Sequence, residues 1–92
     1  MSEKDIEKYL VQEVKKIGGK AYKWTSPGNN GVPDRIVFLP SGVIKFVELK
    51  APGKKPTELQ IKKHKELEAL GHNVIIIDHK ENVNDFIDRW RQ

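Results

Sequence analysis

No cysteine occurs in the 92 residues. Neither a disulfide framework nor a thiolate zinc site is therefore available. Long hydrophobic runs are also missing. The longest aliphatic stretch, Val74 to Ile77, falls far short of a membrane span, so no membrane association is expected. No succession of basic, apolar and small residues marks the N-terminus as a signal peptide, and a cytoplasmic location is expected. Repeats and low-complexity segments are absent. Histidine is scarce, and His64, His72 and His79 lack the spacing and company of a metal cluster. They read as surface or satisfied polar residues.

What is present is a mixture of 37% hydrophobic and 33% charged residues, which indicates a globular chain. The length predicts a single domain over residues 1–92, with a net stability of roughly 5–10 kcal/mol. A net charge of +4 and a pI near 9.4 are compatible with a nucleic-acid partner without requiring one. The placement of the charge says more. Lys54 and Lys55 follow a candidate site directly, and Lys62, Lys63 and Lys65 lie on the next predicted helix. A solvated helix face, with Glu58, Glu66 and Glu68 interspersed, accounts for part of that run.

Ser2 to Ile17 reads as a helix, with Ser2 as N-cap, Ile6, Leu10, Val14 and Ile17 at helical spacing, and Gly18-Gly19 as its stop. Lys20 to Trp24 is the first expected strand. Thr25 to Val32 is a loop rich in Ser, Pro, Gly and Asn, long enough to suggest substrate contacts through backbone N–H groups. Two apolar strands follow, joined by Pro40-Ser41-Gly42. Ala51 to Pro56 is a second loop, and a helix is expected from Thr57 to about Leu70, with Thr57 and Gln60 as a capping box. His72 to Asp78 reads as a buried strand, and Glu81 to Arg91 as a last helix with Val83, Phe86, Ile87 and Trp90 on its apolar face. The crossover through the Thr57 helix predicts that the final two strands run parallel. The order αβββαβα implies an α/β fold with a mixed four-stranded sheet flanked by helices. Because both faces of the central hairpin are apolar, a sheet covered on both sides is expected.

The segment Pro33 to Lys50 carries the chemistry. Side chains alternate along a strand, so Glu48 and Lys50 share one face while Leu49 points away. Whether Asp34 joins them depends on the turn. A two-residue turn at Ser41-Gly42 sets Asp34 opposite Leu49, on the wrong face. A three-residue loop pairs Leu39 with Val43 and therefore Asp34 with Glu48, and Gly42 stands where such a loop needs a positive φ. In that register two carboxylates and a lysine converge at one end of an apolar stripe, as a metal site with a cation beside it.

The succession Pro33-Asp34, then Glu48-Leu49-Lys50, resembles the PD-(D/E)XK nuclease superfamily. The wider run is similar to its VRR-NUC branch: Lys23-Trp24-Thr25-Ser26-Pro27-Gly28, Gly31-Val32-Pro33-Asp34-Arg35, Val47 to Gly53, and Gln60. That resemblance implies a restriction-endonuclease-like fold and a Mg²⁺- or Mn²⁺-dependent endonuclease acting on DNA, branched DNA such as Holliday junctions included. It also implies a homodimer, in a bacterial or phage-infected cell. Asp34 and Glu48 would be metal ligands, with the Leu49 carbonyl and a third acidic group from the first helix, Glu7 ahead of Glu3. Lys50 would position or help activate the attacking water. Gln60 would face the site, a role that excludes capping in a single rotamer. Lys23, Ser26, Arg35, Lys54, Lys55 and Lys62 are the expected DNA contacts. The apolar residues of the last helix, Phe86, Ile87 and Trp90, offer one candidate dimer surface, with cover for its own sheet as the alternative. Two other readings compete: a salt-bridged strand end without function, and a non-catalytic nucleic-acid-binding module that keeps the fold.

Overall fold

The computed structural model describes residues 1–91. Helix α1 spans Glu3–Lys16 and starts at a reciprocal cap. The Asp5 N–H donates to Ser2 Oγ and the Ser2 N–H donates to Asp5 Oδ2, each at 3.1 Å. Ile6, Leu10 and Val14 are fully buried. The chain then turns at Gly18, with φ of 87°, and passes hard against the sheet at Gly19. A Cβ at Gly19 would lie 2.6 Å from the Phe38 carbonyl oxygen, so only glycine lets the helix exit this close to the next strands.

Strands β1 (Lys20–Lys23), β2 (Arg35–Leu39), β3 (Val43–Leu49) and β4 (Val74–Ile77) form one sheet in the order β1-β2-β3-β4. The pairs β1–β2 and β2–β3 are antiparallel, and β3–β4 is parallel. The parallel pair follows from helix α2 (Glu58–Ala69), which carries the chain back across the sheet; helix α3 (Lys80–Trp90) closes the described fold. Leu39 pairs with Val43 and Ile36 with Phe46, so the connection is the three-residue Pro40-Ser41-Gly42 loop. Gly42 has the expected positive φ, 78°, and Ser41 has one too, 67°. The second left-handed residue is a strained choice for a side chain and was not legible in the sequence.

Helices α1 and α3 lie on one face of the sheet. Their Ile6, Leu10, Val14, Val83, Phe86 and Ile87 form a single core with Ala21, Val37, Leu39, Val47, Leu49 and Ile77. Two sequence-based expectations are corrected here, and one open alternative is decided. The sheet is not covered on both sides: Tyr22 is 54%, Phe38 40%, Ile44 51% and Ile76 39% exposed on the other face. Only α2 is left for that face, and its sole buried residue, His64, sits over the site end of β3 rather than the hairpin end. Strand β4 is not a fully buried strand, because it is an edge and buries only Ile77 completely. Of the two alternatives for the apolar stripe of α3, cover for its own sheet is the one observed, since Phe86 and Ile87 belong to the chain's own core. No helix among the described residues is long and apolar enough to cross a membrane.

Candidate active site

The β2–β3 register continues one pair past Arg35 and Val47, and there it sets Asp34 opposite Glu48. Asp34 is fixed by its Oδ2, which accepts from the Leu49 N–H at 2.8 Å. Glu48 is only 1% exposed, an unusual burial for a carboxylate. Its Oε2 accepts from Gln60 Nε2 at 2.9 Å and lies 3.6 Å from Lys50 Nζ. Its Oε1 is buried without a hydrogen-bond partner. Asp34, Glu48, Lys50 and Gln60 are thus brought together as the sequence predicted.

Gln60 does both things that one rotamer was expected to exclude. The Thr57 N–H donates to Gln60 Oε1 at 2.9 Å, completing the cap, while the amide nitrogen faces Glu48. A primary amide has an acceptor end and a donor end, and this orientation alone satisfies both neighbours. The capping box therefore aims the side chain at the site rather than withdrawing it.

Burial, and then the neighbouring Asp34 charge, push the Glu48 carboxyl up to about 7, with Lys50 opposing. The folded chain holds this proton more tightly than the unfolded chain does. The corresponding stability is complete below the ordinary value of 4.5 and is lost as the pH rises through about 7. Glu48→Gln should accordingly stabilise the chain in EDTA at pH 8 by roughly 2–4 kcal/mol and leave it nearly unchanged at pH 4. Urea unfolding at the two pH values measures this. A variant no more stable than wild type at pH 8 would show that the buried charge carries no such penalty.

Glu7 is placed elsewhere. Its Oε2 accepts from Arg35 Nε at 2.9 Å, and Arg35 Nη1 donates to the Ala21 carbonyl at 2.9 Å. Arg35 shares the α1-facing side of β2 with Val37 and Leu39, whereas Asp34 and Glu48 belong to the opposite side. Among the described residues no group of three or more His, Asp or Glu side chains is arranged to hold an ion. Glu3 is exposed. Leu49 buries its side chain in the core, with its N–H taken by Asp34. Of the expected DNA contacts, Lys23, Lys54, Lys55 and Lys62 are exposed, while Arg35 is held by Glu7. Ser26 shapes its own loop, accepting from Asn29 Nδ2 at 3.1 Å.

One residue was misjudged. His72 is exposed and His79 pairs with Asp78 at 2.6 Å, in keeping with their bland reading, but His64 is 7% exposed with Nε2 3.6 Å from Glu48 Oε1. The available signal was its spacing, one helical turn after Gln60 and so on the same face.

No family model matches the chain. It is 61% identical over 79 residues to a protein of Acyrthosiphon pisum secondary endosymbiont phage 1 named "Putative nuclease p44", an overlap of 86% of this chain and 85% of that protein. Among solved structures it superposes on a "VRR_NUC domain" with a TM-score of 0.88 at 30% identity, over 98% of this chain and 99% of the other. A second structure, a "VRR_NUC domain protein", is similar in fold, with a TM-score of 0.77 at 16% identity over 98% and 88% of the two chains. The sheet order, its three helices and these likenesses define an α/β, restriction-endonuclease-like nuclease. The chain belongs to the VRR-NUC family of nucleases.

Proposed function

We propose that the chain is a single-domain, Mg²⁺- or Mn²⁺-dependent, structure-specific DNA endonuclease. Its substrate is branched DNA such as a Holliday junction, and it works as a homodimer in the cytoplasm of a bacterial or phage-infected cell. The observation that carries the metal reading is the pair Asp34 and Glu48. Glu48 is nearly inaccessible, has an unpartnered Oε1 and is made costly to ionise by burial and by Asp34. A hard divalent cation offsets that cost, and Mg²⁺ needs only one or two carboxylates because it keeps several waters. The residues present therefore fit such an ion, with Asp34 and Glu48 as its holders and the Leu49 carbonyl as a further oxygen donor. Glu7, held by Arg35, is not required for this set.

When bound, the ion supplies Lewis acidity at the scissile phosphate and makes water a better nucleophile at neutral pH. The chain's own groups do the rest. Lys50, 3.6 Å from Glu48 Oε2, orients the attacking water and stabilises the charge that develops on the phosphate. Gln60 holds Oε2 of Glu48, and Asp34 is pinned through the Leu49 N–H, so both carboxylates are set in place before substrate arrives.

Small size favours recognition of DNA shape through phosphates rather than base reading. Concerted cutting of a four-way junction needs two sites in fixed relation, which a two-fold dimer provides. The open apolar sheet face of Tyr22, Phe38 and Ile44 offers the area that α3 does not. The test is cleavage of a junction and nicking of plasmid, each with Mg²⁺, Mn²⁺ or EDTA, with sedimentation of the same sample at micromolar concentration. Cleavage only with metal, by a species of twice 10.6 kDa, is expected. Full activity in EDTA would end the metal reading, DNA binding without cleavage would favour the non-catalytic module, and a monomer that cuts both strands would end the dimer.

A further inference from the structure

Two buried, orphaned polar atoms face each other beside the proposed metal site. Oε1 of Glu48 and Nε2 of His64 lie 3.6 Å apart, and neither has a hydrogen-bond partner. Both side chains are more than nine-tenths buried, at 1% exposure for Glu48 and 8% for His64. Buried polar groups in native folds are nearly always satisfied, so a facing donor and acceptor just out of reach call for an explanation. The same helix already supplies the partner for the other carboxylate oxygen: Gln60 Nε2 to Oε2 at 2.9 Å. Gln60 and His64 are four residues apart on α2, so they stand one above the other on the face turned to Glu48.

We propose that His64 is a positioning residue for Glu48: its Nε2 closes onto Oε1 as Gln60 already does onto Oε2, and the two side chains of α2 together hold the carboxylate in one orientation beside Asp34. A carboxylate has about four lone-pair directions; Gln60 takes one on Oε2 and His64 would take one on Oε1, which leaves the others open to a cation. The inference rests on the metal reading above but concerns a residue that touches neither substrate nor ion.

Calorimetric titration with Mn²⁺, without DNA, tests it in three chains: wild type, His64→Phe and His64→Gln. The phenylalanine keeps the ring and removes the donor. The glutamine amide nitrogen restores a donor at about the reach of Nε2. His64→Phe should weaken Mn²⁺ affinity by about 10–100-fold, the usual effect of removing a partner behind a metal ligand, and His64→Gln should recover most of it. The urea midpoint in EDTA should not fall in His64→Phe, since an orphaned nitrogen has been removed. Cleavage by His64→Phe should return toward the wild-type rate at saturating Mn²⁺. Mn²⁺ affinity in His64→Phe equal to wild type would overturn the role of His64 alone. Loss in both variants in step with a lowered urea midpoint would reduce it to packing. A wild-type chain that takes up no Mn²⁺ would instead overturn the metal reading itself.

Discussion

Glu48→Ala and Asp34→Ala are expected to abolish metal-dependent cleavage, whereas Lys50→Ala should keep metal binding and lose about 10²–10³-fold in turnover, the usual cost of one electrostatic group aimed at developing charge. The difference follows from what each side chain touches. Glu48 has no other role that survives its burial: without an ion its ionised form is opposed by desolvation and by Asp34. Asp34 has a second role, because its Oδ2 holds the Leu49 N–H at 2.8 Å. Alanine there leaves a buried donor unpaired and should cost stability of about 1–3 kcal/mol as well. Asp34→Asn is the cleaner variant, since its amide oxygen still accepts from Leu49 while the charge is gone. Single-turnover cleavage together with Mn²⁺ calorimetry separates the three. Full activity in Glu48→Ala, or a Lys50→Ala chain that no longer binds Mn²⁺, would contradict the assigned roles.

A second large effect is expected from salt. If the bound DNA has six to ten phosphates neutralised, affinity should fall by roughly 10³–10⁵ between 50 and 200 mM salt. Lys54 and Lys55 are exposed on the loop that leaves Lys50, whereas Lys62, two residues after Gln60, is exposed on the side of α2 turned away from Glu48. Replacing Lys54 and Lys55 together with alanine should flatten the logarithmic salt slope by about two and weaken every DNA sequence alike. Fluorescence anisotropy over a salt series, with an inactive Glu48→Gln background to prevent cleavage, gives the slope directly. A slope unchanged in the double variant would move the DNA path to another face.

Sequence alone determined the elements and the pairing at the centre of the site. Those features depend on local physics: helical spacing of Ile6, Leu10 and Val14, the Ser2 and Thr57 caps, and a three-residue turn ending in Gly42. Once Leu39 pairs with Val43, the two-residue period of a strand leaves Asp34 no place except opposite Glu48. The wider run of residues from Lys23 to Gln60 carried the family, which the comparisons then showed.

Tertiary structure decided which element lies over which face, and periodicity does not encode that. The apolar hairpin looked covered on both sides because its two faces are equally hydrophobic, yet α1 and α3 pack together on one and leave Phe38 and Ile44 open on the other. The same choice of face removed Glu7 from the carboxylates and gave it to Arg35. It also brought α2 down onto Glu48, so that Gln60 caps its helix and reaches the site with opposite ends of one amide, and His64 is buried against the second oxygen. A strand or helix pattern states which residues share a face. What that face meets is fixed only when elements distant in sequence compete to bury their apolar surface against one another.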